Sequence, residues 1–81
     1  MQEIGIIENY FSKIGVAVIH VTKGELLLND SIIIKGSTSD FKMTVNSMEI
    51  DRKEVEKVKS GEKVGLKVHE RVRPGDLVFK E

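Results

Sequence analysis

The sequence predicts an all-β protein, a small closed six-stranded antiparallel barrel with Greek-key connections. Its 81 residues are 40% apolar and only 5% aromatic, and Ile, Val and Leu supply most of the apolar fraction, a bias that favours strands. Apolar and polar residues alternate in Val64–Val68, as expected of a half-buried strand, and Pro74–Asp76 has the composition of a tight turn. Because a small sheet must protect its edges, closure into a barrel is the expected arrangement.

Strand-like stretches separated by turn residues follow one another along the chain. The second stretch is apolar at both parities, which predicts a central strand covered on both faces. In the turn before the third stretch, Asn29 is expected to take a positive φ. Gly65, inside a strand, indicates that another group packs closely against the backbone. The predicted strands are residues 4–11, 16–21, 31–35, 41–50, 64–68 and 77–79.

Two stretches depart from simple alternation. After Ser47 the apolar positions change parity, which predicts a β-bulge near that residue. Residues 51–60 are highly charged, and Val55 and Val58 are their only apolar residues. This composition predicts a loop that the two valines hold against the core.

Charge and targeting signals narrow the class of protein. Thirteen basic residues balance thirteen acidic residues, so the chain as a whole has no electrostatic attraction toward nucleic acid. The chain has no Cys, which excludes a disulfide and a thiolate metal site. No signal peptide or membrane span is evident, so we expect a single cytoplasmic domain over residues 1–81 without a membrane partner. The Lys/Glu-rich composition favours a thermophilic source.

Five short motifs follow one another along the chain: Gly15–Val18, Leu28–Gly36, Val45–Ile50, Gly61–Leu66 and Arg73–Val78. In this order they resemble domain 2 of the translational GTPases, the barrel of elongation factor Tu and initiation factor 2. The chain looks most like the free-standing elongation factor Tu domain 2-like proteins, and the resemblance covers residues 4–80. A similar barrel is appended to some collagenase-like peptidases. Asn29 stands where the family usually has Gly, and Asn is the next-best residue for a positive φ.

The resemblance implies the barrel without its nucleotide-binding domain. In the nearest match to a phosphate loop, Gly36–Lys42, Phe41 stands where the second glycine is required. We therefore expect no bound nucleotide and no other cofactor. The function that the family resemblance implies is that of a non-catalytic binding module in translation, which contacts tRNA or ribosomal RNA.

Exposed cations and one aromatic residue are the candidate contacts for RNA or another partner. Tyr10 and Phe11 are adjacent, so one side chain is expected in the core and the other at the surface. Arg71 and Arg73 flank Val72 and are expected to share a face, a pairing suited to phosphate or carboxylate groups. Rim packing of the aromatics and plain solvation of the arginines remain alternatives. The candidate set is Tyr10, Lys13, Lys35, Lys42, Lys67, Arg71 and Arg73.

A second function remains open: a protein-docking module that associates with a separate enzyme such as a collagenase-like peptidase. An exposed apolar patch around Ile7, Ile19 or Ile33 would favour it. An enzyme is disfavoured, because no residue set suited to catalysis is evident. The isolated His20 and His69 lack partners at ligand spacing, so no metal site is expected.

Overall fold

All 81 residues, Met1–Glu81, are described by a computed structural model. The regular structure consists of ten strands, and no helix with the length and hydropathy needed to cross a bilayer is present. In chain order the strands are β1 Gln2–Phe11, β2 Val16–Val21, β3 Glu25–Leu27, β4 Ser31–Lys35, β5 Asp40–Thr44, β6 Glu49–Ile50, β7 Lys53–Glu54, β8 Lys57–Lys59, β9 Lys63–Lys67 and β10 Leu77–Lys80.

Eight strands form one antiparallel sheet in the order β5-β4-β10-β1-β2-β9-β6-β7, and β3 pairs separately with β8. The predicted all-β class is confirmed, but the predicted closed barrel is wrong, since edge strands β5 and β7 do not pair with each other. Strands β6 and β7 have only two residues each, too few for a ladder that closes the sheet. The hydrogen bond from Asn29 N to Val45 O at 2.8 Å extends the β4–β5 pairing beyond the ends of those strands.

Seventeen buried apolar side chains form one core cluster, most of them from the inner face of the eight-stranded sheet, together with Leu26 and Val58 of the β3–β8 pair. Strand β2 illustrates how the sequence builds it: Ala17, Ile19 and Val21 are buried, and the residues between them are half-buried on the outer face. Full burial of such a side chain contributes about 1.5–3 kcal/mol. The predicted central position of this strand is confirmed by its neighbours β1 and β9, whereas the predicted cover of both faces is wrong.

Strand irregularities lie in β1. Its pairing shifts register at Glu3–Gly5 and again at Ile7–Asn9. The bulge predicted near Ser47 is absent, because residues 45–48 connect β5 to β6 outside any strand. The change of apolar parity there marks a break between two strands.

The charged segment 51–60, predicted to be a loop, contains β7 and β8. Val58 of β8 is fully buried and lies opposite Leu26 of β3, and Val55 packs against the core from a half-buried position. Both valines hold the segment as expected. Strands β7 and β8 were not predicted, because an alternation of two or three residues is too short to distinguish from a loop.

Candidate partner-binding surfaces

Two large apolar side chains at the end of the β1–β2 hairpin are left in solvent. Phe11 is 48% exposed and Ile14 is 60% exposed. Phe11 lies opposite Val16 on the outer face of the sheet, and Ile14 occupies the connecting turn. Half-buried Val18 continues the apolar surface along β2. We call these four residues the hairpin patch.

Gly65 of β9 adjoins the hairpin patch, since it lies opposite Val18 in the β2–β9 ladder. A Cβ built on Gly65 would lie 3.6 Å from Val16 Cγ1 and 3.8 Å from Glu49 O, which is ordinary van der Waals contact. The close packing predicted at Gly65 is therefore not supplied by this chain. The missing side chain instead helps to form a depression of about 120 Å³ beside Val16 and Lys67.

A separate groove lies on the other side of β1. Tyr10 pairs with buried Ala17 and packs against the core, so its side chain points to the inner face. Together with Arg71 and Arg73 it lines an open cavity of about 560 Å³. Val72 between the arginines is buried, whereas Arg71 and Arg73 are both exposed. The predicted shared face of the two arginines is present in this groove.

The four candidate lysines lie outside this groove. Lys42 Nζ forms an ion pair with Glu81 Oε2 at 2.6 Å. The remaining three are exposed at the β1–β2 turn, the end of β4 and the end of β9: Lys13, Lys35 and Lys67. Of the predicted contact residues, the structure thus brings Tyr10, Arg71 and Arg73 together in one cavity.

The exposed apolar patch that would favour a protein partner is not found around Ile7, Ile19 or Ile33. Ile7 and Ile19 are buried core residues, and Ile33 is half-buried on the outer face. The exposed residues are Phe11 and Ile14. An isoleucine inside a turn of otherwise polar residues was the available signal for this patch.

The histidines and acids form no candidate metal centre. His20 is half-buried on the outer face of β2, and His69 is exposed after β9. The structure contains no group of three or more His, Cys, Asp or Glu residues arranged to hold a metal ion.

The fold defines a small all-β domain built on one open antiparallel sheet. It resembles the crystal structure of the C-terminal domain of a putative U32 peptidase from Geobacillus thermoleovorans, with a TM-score of 0.91 over 99% of this chain and 92% of that chain. The selenomethionine variant of that domain gives a TM-score of 0.92 over 99% and 100%. The identities of 17% and 16% mean that this likeness concerns the fold alone.

Sequence comparison leads to the same group of proteins, although no family model matches the chain. An uncharacterized protease of Methanocaldococcus jannaschii is 41% identical over 78 residues, which are 95% of this chain and 19% of the protease. A collagenase of Porphyromonas gingivalis is 35% identical over 72 residues, 88% of this chain and 20% of the collagenase. The chain thus spans about a fifth of the length of these relatives.

These relatives correct the family predicted from the motifs. The sequence relatives are a protease and a collagenase, and the structural neighbours are parts of a peptidase. The identification as a domain 2 of a translational GTPase is therefore wrong, and the roles in translation and RNA binding that it implied lose their support. The short motifs misled because tight turns and closing strands place similar demands on unrelated sheets.

Proposed function

We propose that this chain is an accessory domain of a U32-type peptidase, and that it docks on the catalytic portion of the enzyme without supplying a catalytic group. The matched relatives support an association with a peptidase, because the chain corresponds to about a fifth of each and the remaining four-fifths provide a partner. A protein-docking module that associates with a peptidase was the second function expected from the sequence.

The hairpin patch is the observation that carries the proposal. Phe11 and Ile14 expose 48% and 60% of their surface in a protein that buries 17 other apolar side chains in one core. Scattered apolar residues are ordinary on a protein surface. Here, however, the two lie next to half-buried Val16 and Val18, so the apolar surface is continuous across two strands.

Gly65 extends the same surface in a form suited to contact. A glycine inside a strand destabilises it by about 0.5–1 kcal/mol relative to Ala, and no neighbour within this chain excludes a Cβ at that position. Interior glycines of strands often mark the close approach of another backbone. A partner segment lying against Gly65 accounts for its presence.

A binding titration tests the proposal. The chain is added to the M. jannaschii protease from which the 78 matched residues have been removed, after circular dichroism has established that the shortened protease is folded. We expect saturable binding by calorimetry. The Phe11→Ser/Ile14→Ser variant should bind at least about tenfold more weakly, since loss of a central apolar contact costs more than 1 kcal/mol.

Lys23→Ser provides the matched control, because Lys23 is an exposed turn residue at the opposite end of β2. Its affinity should equal that of the unmodified chain. Absence of binding to a folded shortened protease would contradict the docking role. Equal affinity of the hairpin variant and the control would show that the hairpin patch is not part of the interface.

A further inference from the structure

The groove beside Tyr10 has a chemistry that the docking role does not use. It is a wide-open groove of about 560 Å³, lined by Asn9, Tyr10, Arg71, Val72, Arg73 and Pro74. Tyr10 points to the inner face of the sheet, whereas Phe11 of the hairpin patch points to the outer face. The Tyr10 side chain and the hairpin patch are thus on opposite faces of β1.

The backbone that carries the two arginines is anchored. Val72 between them is 1% exposed. Arg73 N donates a hydrogen bond to Asp76 Oδ2 at 3.0 Å, and Ser39 Oγ donates to Arg71 O at 3.4 Å. Binding of a ligand would therefore require ordering of the arginine side chains only, which lowers the entropic cost of binding.

The two charged residues that line the groove are both cations. Neither arginine takes part in any of the four ion pairs of the structure, so no carboxylate lies within 4.0 Å of their guanidinium nitrogens. The Tyr10 hydroxyl adds a further donor. A ligand that fits must supply acceptors and negative charge.

We infer that this groove binds an acidic peptide segment, with a carboxylate held by Arg71 and Arg73. Paired guanidinium groups match the two oxygens of a carboxylate. The Tyr10 ring and Pro74 give the groove an apolar component, which suits the aliphatic part of a peptide better than a free inorganic anion. The inference does not depend on the docking role, because the hairpin patch contributes no residue to the groove.

Fluorescence anisotropy of the intact chain with a labelled hexapeptide of Glu tests the inference, with a hexapeptide of Gln as the matched neutral probe. We expect saturable binding of the Glu peptide at 50 mM salt and at least tenfold weaker binding of the Gln peptide. Arg71→Ala/Arg73→Ala should weaken binding of the Glu peptide at least tenfold. Arg71→Lys/Arg73→Lys should recover part of the affinity, because charge is restored without the paired geometry.

Two controls separate this site from the other surfaces. Lys35→Ala removes an exposed cation outside the groove, and Phe11→Ser/Ile14→Ser alters the hairpin patch; both variants should retain the full affinity for the Glu peptide. An equal loss of affinity for the Glu peptide in Lys35→Ala would mean that the peptide is held by general electrostatic attraction, and this result would overturn the inference. Tighter binding of inorganic phosphate than of the Glu peptide, measured by competition, would also overturn it.

Discussion

The Arg73–Asp76 turn and the β1–β2 turn differ in how far their polar groups and side chains are held by contacts with the rest of the chain. In the first, Arg73 N donates to the buried carboxylate of Asp76, Ile7 N donates to Asp76 O and Gly75 N donates to Ile7 O, all at 2.8–3.0 Å. In the β1–β2 turn, Ile14 N donates to Phe11 O at 3.2 Å and Val68 N donates to Gly15 O at 3.0 Å, but the side chains of Phe11 and Ile14 are about half or more exposed.

This difference separates residues that hold the fold from residues that are free to bind. Around Asp76, the polar groups and the available space are both filled by neighbouring segments. A substitution there should therefore lower the free energy of unfolding. At the hairpin patch, the fold gains little from Phe11 and Ile14, so their substitution should affect association and leave stability nearly unchanged.

Gly36→Ala should produce the largest loss of stability, about 3 kcal/mol. A Cβ on Gly36 would overlap the Asp76 carboxylate. Overpacking of this kind costs about 1–3 kcal/mol, and displacement of the carboxylate would also sacrifice its bond to Arg73 N, worth about 1.5–3 kcal/mol. Urea unfolding followed by circular dichroism measures the change.

Gly65→Ala is the matched control for that substitution. Because a Cβ at Gly65 meets only ordinary contacts at 3.6 and 3.8 Å, its free energy of unfolding should stay within about 1 kcal/mol of the unmodified protein, and reduced freedom of the unfolded chain favours a small gain. Equal destabilisation by both substitutions would show that the contact with Asp76 is not the cause.

Asp76→Ala should have the next largest effect, about 2 kcal/mol, because a backbone N–H of Arg73 loses its charged acceptor. Combining it with Gly36→Ala sharpens the comparison, since the alanine at residue 36 then meets no carboxylate. We expect the loss in free energy of unfolding of the double variant to be smaller than the sum of the two single losses by more than about 1 kcal/mol. Strict additivity would rule out direct contact as the origin of the loss.

Phe11→Ser/Ile14→Ser should have the smallest effect on stability. Both side chains are largely exposed, and substitutions at such positions usually change the free energy of unfolding by no more than about 0.5 kcal/mol. The urea midpoint and slope should match those of the unmodified protein. A loss above about 1.5 kcal/mol would mean that the hairpin patch supports the fold, and would weaken its assignment as a docking surface.

The long strands were predictable because a period of two is a local property of the sequence. Strands β2 and β4 have the predicted bounds, and β1, β9 and β10 differ by two residues or fewer. The positive φ expected at Asn29 is confirmed at 71°, and Gly75 takes its positive φ of 97° in the predicted turn. Strand β8 forms because β3, a partner distant along the chain, is present, and the local pattern does not contain that information.

At the candidate surfaces, too, some features follow from the local sequence and others depend on the tertiary structure. The opposite directions of Tyr10 and Phe11 follow from adjacency on a strand, but which of them is exposed depends on the register shift at Ile7–Asn9. With Ile7 inward, regular alternation would turn Tyr10 outward; the extra residue reverses the parity and exposes Phe11 instead. Tyr10 was therefore named as a contact where Phe11 is the more exposed aromatic.

The sequence by itself determined the all-β class, the main strands, the turn before β10 and the shared face of Arg71 and Arg73, since each depends on the spacing of neighbouring residues. The tertiary structure decided that the sheet stays open, that Gly65 borders unfilled space and that Tyr10 lies beside the two arginines. These features depend on which strands meet and in which register, and pairing over long separations is set by the packing of the whole core.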